Sequence, residues 1–262
     1  MESVKRRLTA PCIGLLVILL SSCERPLYFG THQSHQITRL ENPGDFQIQL
    51  SGQMDMGLHQ IYQADAEIAI SRLFALRGSM LSGGEYLLAD SDKSGTVQAR
   101  QFGFGSYYAF PVAGYRGASW IGYANGTATN TNTSYNSALF SPTTSIETFN
   151  RFERFFVEQQ VRYTIKTVDF FGSLTFGASR VLDLQINSTV PEQSDYGLQL
   201  QRQQNMPMAA FGVLGFGISG GSPNLRAQLR VDQWFGRAAY QVGNIPSTFI
   251  STGFSWRLQP LR

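Results

Sequence analysis

Phe155-Phe156-Val157-Glu158-Gln159-Gln160-Val161-Arg162-Tyr163-Thr164-Ile165-Lys166 is the stretch on which the reading of the fold turns. Odd positions Phe155, Val157, Val161, Tyr163 and Ile165 are apolar, with only Gln159 interrupting, while even positions Glu158, Gln160, Arg162, Thr164 and Lys166 are polar. A period of two is that of a β-strand whose faces meet different surroundings. A soluble sandwich can contain such a strand. The apolar row here is also about as long as a tilted strand needs to cross a bilayer, roughly 9–11 residues, with its bulky side chains where lipid would touch them.

Composition favours the membrane. The 262 residues are uniform beyond the first few dozen, with no Pro- or Ser-rich linker, which suits one domain. Charged residues are 15%, aromatic residues 13%, and mean hydropathy is close to zero. That is too polar for helical membrane spans and too aromatic for disorder. No apolar run after residue 23 approaches the roughly 20 residues of a spanning helix. A membrane β-protein has this profile because half of each strand faces a polar interior.

The N-terminus reads as an export signal over residues 1–22. Lys5, Arg6 and Arg7 precede a short apolar core from Ile13 to Leu20, interrupted by Gly14. The core ends at Leu20-Ser21-Ser22-Cys23, the pattern of a bacterial lipobox, which makes Cys23 the expected lipidation site and covalent lipid the only expected cofactor. The competing reading is an ordinary signal peptide with an incidental cysteine. With Cys12 in the removed segment and Cys23 acylated, the mature chain would have no free thiol and no disulfide. The formal charge of +3 falls to +1 when Glu2, Lys5, Arg6 and Arg7 leave with the signal, so nucleic acid is not an expected partner.

Residues 23–43 read as a lipidated, solvated tether, since Pro26, Tyr28, His32, His35, Asn42 and Pro43 show no period. His32 and His35 could form half a metal site, but no third ligand is near in sequence and no metal is expected. From residue 44 to 262 the alternation predicts an all-β, antiparallel, up-and-down transmembrane barrel of ten strands, with eight as the alternative if the first hairpin merges. Longer polar connections at 83–97, 126–147, 187–206 and 237–246 alternate with short turns at 71–73, 111–116, 167–169 and 220–224. Tyr108, Phe110, Tyr115, Tyr163, Phe170, Phe171 and Trp256 crowd the short-turn ends, where an aromatic girdle belongs.

Taken together, the lipobox at Cys23, the Pro- and Tyr-containing tether, the Asn42-Pro43-Gly44-Asp45-Phe46 lead-in and the Ile70-Ser71-Arg72-Leu73-Phe74-Ala75-Leu76 hairpin resemble the small outer-membrane β-barrel lipoproteins of Bacteroidota-like bacteria, often grouped with porin-family barrels of unknown function. The resemblance spans the mature chain. It implies an outer-membrane address and a barrel fold, and no established activity. The Pro260-Leu261-Arg262 ending departs from the aromatic last residue common in outer-membrane barrels.

Chemical motifs are sparse. Gly215-Phe216-Gly217-Ile218-Ser219-Gly220 matches the dinucleotide fingerprint in letters, but it sits inside an alternating strand with no helix to follow. Outside the tether the only histidine is His59, placed in a tight turn with Asp55 four residues earlier, and there is no Gly-x-Ser-x-Gly elbow. No enzyme is expected. The inward face collects Asp65, Glu67, Glu158 and Asp232 against Arg77, Arg162, Arg226 and Arg230, a balanced set that either pairs and occludes the bore or lines a narrow channel. Either Asp65 or Glu67 is expected to pair with Arg77. The expected role is structural, adhesive or display, through the long polar loops; a small porin and a barrel enzyme acting on envelope lipid are the alternatives. The expected partners are outer-membrane lipid and, beyond it, envelope proteins or small solutes.

Overall fold

The computed structural model describes residues 37–55, 59–86, 93–134, 144–188, 208–235 and 248–258. Within them ten antiparallel strands close into a barrel: β1 (Phe46–Asp55), β2 (His59–Ala69), β3 (Phe74–Tyr86), β4 (Lys93–Ala109), β5 (Tyr115–Ser134), β6 (Thr144–Ile165), β7 (Val168–Ser188), β8 (Met208–Gly221), β9 (Leu225–Phe235) and β10 (Thr248–Leu258). Each strand pairs with its neighbours in sequence, and β1 pairs with β10 from Phe46↔Leu258 to Asp55↔Phe249. Closure satisfies the backbone groups that a sheet edge would leave open, as lipid requires. The count is ten, and the eight-strand alternative falls away.

The alternation read from residues 155–166 maps onto the two sides of the wall. Phe155 and Val157 are 55% and 58% exposed on the outside, whereas Glu158 between the bore and its neighbours is 1% exposed. In β9 the pattern runs unbroken from Leu225 outward to Asp232 inward. A soluble sandwich would bury the apolar rows; here they form the exterior, and the chain is a membrane-spanning barrel. Near the short-turn end the exterior carries Phe74 stacked on Phe104, Tyr115 on Tyr163, and Tyr108 edge-on to Phe110. Phe171 departs from the expected girdle: it points inward and is buried against Gly217.

Gln159, the polar break in the apolar row, remains on the outside. It donates to the Tyr108 hydroxyl at 2.5 Å and accepts from the Ser119 hydroxyl at 2.6 Å. Cross-strand partners thus satisfy a side chain that lipid could not.

The opposite boundary of the apolar band is a change of row. Phe102, Tyr123 and Phe155 lie side by side on β4, β5 and β6, and the next outward row is Arg100, Asn125, Glu153 and Arg180. Beyond it β5, β6 and β7 continue for about 30 Å along the strand direction, at roughly 3.3 Å per residue, as a wall projecting from the membrane. The expected loop at 126–147 is therefore largely strand, paired as far as Ser134↔Thr144. Thr, Asn and Ser stand at both odd and even positions there, so no apolar period marks it, although β-branched Thr suits a strand. The expected loop at 83–97 is likewise shortened at both ends by β3 and β4. The cores of the connections at 187–206 and 237–246 lie outside the described residues.

The expected tether also ends differently. Ile37, Thr38, Arg39 and Leu40 are buried inside the barrel at the short-turn end. Leu40 joins Ala69, Ala75, Tyr107, Ala118 and Trp120 in an apolar cluster. The segment has no period because it follows the contours of a bore rather than a sheet.

Gly105 shows how tightly this end is packed. A β-carbon there would lie 2.5 Å from the Trp120 ring and from the Ser119 carbonyl. Gly105→Ala is expected to destabilise the barrel by about 1–3 kcal/mol, the usual cost of overpacking, measured as the urea midpoint for loss of heat-modifiable gel mobility. Unchanged stability would mean that Trp120 is free to move away.

Candidate functional site

From the short-turn end upward, the first layer of the bore is a network around Asp169 and Asp45. Asp169 accepts from Arg226 at 2.6 Å, with Arg39 at 3.7 Å and Arg162 at 4.0 Å from the same oxygen, and it also accepts from the Thr164 and Ser219 hydroxyls. Arg257 spans Asp45 at 2.6 Å and Glu41 at 3.2 Å. The N-terminal segment is fastened here: Arg39 donates its backbone N–H to Gln47 Oε1 at 3.0 Å and a guanidinium N–H to the Pro223 carbonyl at 2.9 Å. Burial, with Arg226 and Arg162 close by, brings the Arg39 guanidinium down to about 10, so it stays charged at neutral pH.

The second layer is centred on Arg77. It meets Glu158 at 2.7 Å and Glu67 at 3.8 Å, and its guanidinium lies 4.3 Å from the Trp120 ring. Thr38 donates its hydroxyl to Glu67 and its backbone N–H to Gln160, while Trp120 Nε1 donates to the Thr38 hydroxyl. Glu67 faces Arg77 directly across β2 and β3; Asp65 faces Ser79 and accepts from Gln63 at 2.7 Å.

The third layer is mostly neutral and polar. Arg230 and Asp232, two residues apart on β9, pair at 2.7 Å, and Arg230 donates to the Ser173 hydroxyl at 2.7 Å. Gly215 belongs to this arrangement: a β-carbon there would lie 2.4 Å from both Arg230 Nη2 and Asp232 Oδ1. The glycine of the fingerprint-like run makes room for an ion pair, and β8 runs between β7 and β9 without the helix a dinucleotide site requires. The side-chain polar atoms of Gln49 have no protein partner among the described residues.

The fourth layer is apolar. Ile61, Leu81, Val97, Phe152, Phe156, Phe211, Val213, Trp234 and Phe249 form one buried cluster toward the long-connection end. Arg154 reaches into it, its guanidinium 4.6 Å from the Phe152 ring and 5.1 Å from the Trp234 ring. Aromatic faces there interact with a cation removed from bulk water.

The eight charged residues singled out from sequence all point inward, but they divide among layers. Glu67, Arg77 and Glu158 meet in one; Arg162 and Arg226 meet around Asp169 in another; Arg230 pairs with Asp232; and Asp65 takes a neutral partner. Sequence reading missed Asp169, placed in a turn although outward Phe170 marks it as inward, and it missed Arg257, the inward neighbour of Trp256. Arg39 and Glu41 carried no periodic signal. Cys23, His32 and His35 lie outside the described residues. His59 is the first residue of β2 rather than part of a turn, and its side chain is outside the described set, as is that of Asp55. Among the described residues no cluster of His, Cys, Asp or Glu is suited to a metal ion.

No family model and no curated protein sequence matches the chain. Solved structures of similar outline include outer-membrane barrels. They include the outer membrane protease OmpT from Escherichia coli, at 10% identity and TM-score 0.42, covering 82% of this chain and 94% of that one. The translocator domain of the autotransporter NalP from Neisseria meningitidis matches at 7% identity and TM-score 0.40, covering 81% and 87%. The N-terminal β-barrel domain of Pseudomonas aeruginosa OprF matches at 10% identity and TM-score 0.32, covering 82% and 98%. The likeness is one of barrel architecture.

Proposed function

We propose that this chain is a lipid-anchored outer-membrane barrel with an occluded bore, whose role is to hold the projecting wall of β4–β7 at the cell surface for a structural or adhesive purpose. The observation that carries this reading is the filling of the bore, with ionic networks below, an Arg230–Asp232 layer between and an aromatic cluster above. In a barrel of this size side chains fill the interior, and buried ions held by direct partners do not conduct. Cys23, acylated, would anchor the N-terminus at the periplasmic face, where the short turns, the start of β1 and the end of β10 would lie. The outer-membrane reading draws on the lipobox and on the resemblance to small barrel lipoproteins.

Two measurements test it. Purified, detergent-folded protein is expected to give no steady conductance steps in planar bilayers, and steps altered by Arg230→Glu would instead establish a pore. Thr129→Cys, exposed on the projecting part of β5, is expected to react with a membrane-impermeant maleimide on intact cells. Protection on intact cells with labelling after lysis would reverse the topology.

A further inference from the structure

The exterior wall is not evenly covered. Across β9, β10, β1, β2, β3 and β4, one outward row reads Ala227, Phe254, Leu50, Ala64, Met80 and Arg100 in register. The row above it contains Thr252, Gly52, Tyr62, Ser82 and Gln98. Small residues (Ala227, Gly52, Ala64 and Ser82) alternate with bulky ones across these two rows, leaving a trough of about 940 Å³ that all these residues line. At Gly52 a β-carbon would meet nothing within 4 Å. Tyr62, 62% exposed, rises between Gly52 and Ser82, its hydroxyl donating to Gln60 Oε1 at 3.0 Å.

The trough has a direction. Ala227 lies two residues from the short-turn start of β9, whereas Arg100 lies nine residues along β4 from its short-turn end, in the row that bounds the apolar band. The path therefore climbs from deep in the membrane to its upper boundary. Arg100 is exposed there and makes no ion pair among the described residues. A second outer groove lies near Phe102, Ile121, Phe155 and Phe176; Arg100 does not line it. An apolar path ending at an unpaired guanidinium at the interface matches an acyl chain bearing an anionic headgroup.

We propose that the β10–β1–β2–β3 face is a binding site for one phosphate-bearing lipid, its acyl chain in the trough over Gly52 and Ala64 and its phosphate on Arg100. The site rests on the membrane reading of the fold and is independent of the display role. Its recognition is ionic at one end and steric at the other.

The test uses the full-length folded protein in dodecyl maltoside micelles doped with dipalmitoyl phosphatidic acid or dipalmitoyl phosphatidylcholine, with retained lipid counted by native mass spectrometry. Wild-type protein is expected to retain the phosphatidic acid about tenfold more than the phosphatidylcholine, the scale of a charge-assisted contact. Arg100→Gln should abolish that preference. Gly52→Trp should fill the trough and lower retention of both lipids; its side chain enters open space on the lipid side, so heat-modifiable mobility is expected to be unchanged. Equal retention of the two lipids by wild type would overturn the proposal, as would retention unaffected by Gly52→Trp in protein that keeps its mobility shift. A preference lost in Arg100→Gln, with retention of both lipids untouched by Gly52→Trp, would reduce the site to a surface phosphate contact and reject the acyl trough.

Discussion

Arg77→Leu is expected to destabilise the barrel by about 3–5 kcal/mol, among the largest losses of any single substitution, because it leaves Glu158 and Glu67 charged in the bore without their cation. Both carboxylates are almost fully buried and held by direct partners, since Thr38 donates to Glu67 and Gln160 to Glu158. The second substitution is diagnostic. Arg77→Leu with Glu158→Leu should recover most of the loss, since the closer ionic partner then leaves with the guanidinium, and a buried ion pair exchanged for packed apolar groups is often neutral. Urea titration followed by tryptophan fluorescence reads this directly, because Trp120 lies against the Arg77 guanidinium. Equal loss in the single and double variants would show that Arg77 acts through packing on Trp120 rather than through its charge.

Asp169→Ala should be comparably severe, about 3–5 kcal/mol, and should have a second, local consequence. Asp169 is the carboxylate around which Arg226, Arg39 and Arg162 gather. Without it three guanidinium groups face one another at the short-turn mouth, and the cheapest relief is for Arg39 to withdraw with the segment that carries it. Trypsin is therefore expected to cut folded, detergent-solubilised Asp169→Ala after Arg39, a bond that wild type protects by burial. Asp169→Asn, which can still accept from Thr164 and Ser219, should fall between the two. Resistance of Asp169→Ala to cutting at Arg39 would mean that the contacts to Gln47 and Pro223, with those of Thr38 and Leu40, hold the segment without Asp169.

These two residues differ in how visible they were. Arg77 was legible because it stands between outward Leu76 and Gly78 in a clean strand, and the pairing of consecutive strands across a short turn brings Glu67 opposite it. Glu158 as its closer partner was not legible. It belongs to β6, and only the curvature of a closed wall brings β6 across the bore from β3. The projecting wall was hidden for another reason: with polar residues at both odd and even positions, Thr127–Ser134 and Thr144–Arg151 carry no apolar period, and only their mutual pairing reveals them.

The sequence by itself determined the barrel, because a period of two with bulky residues on one face and charges on the other has few stable solutions in lipid. It also narrowed the strand count to ten or eight, through short turns that force neighbours to pair, and the closed wall decided for ten. What fills the bore was decided by tertiary structure. In the upper half, adjacent residues such as Phe155 and Phe156, Val213 and Leu214, Trp234 and Phe235, and Phe249 and Ile250 are apolar on both faces, so alternation falls silent where the interior turns from ionic to aromatic. The inward course of Ile37–Leu40 likewise has no signature along the chain. It depends on Gln47, Glu67, Gln160 and Asp169 converging from four strands that become neighbours of one cavity only when β10 closes on β1.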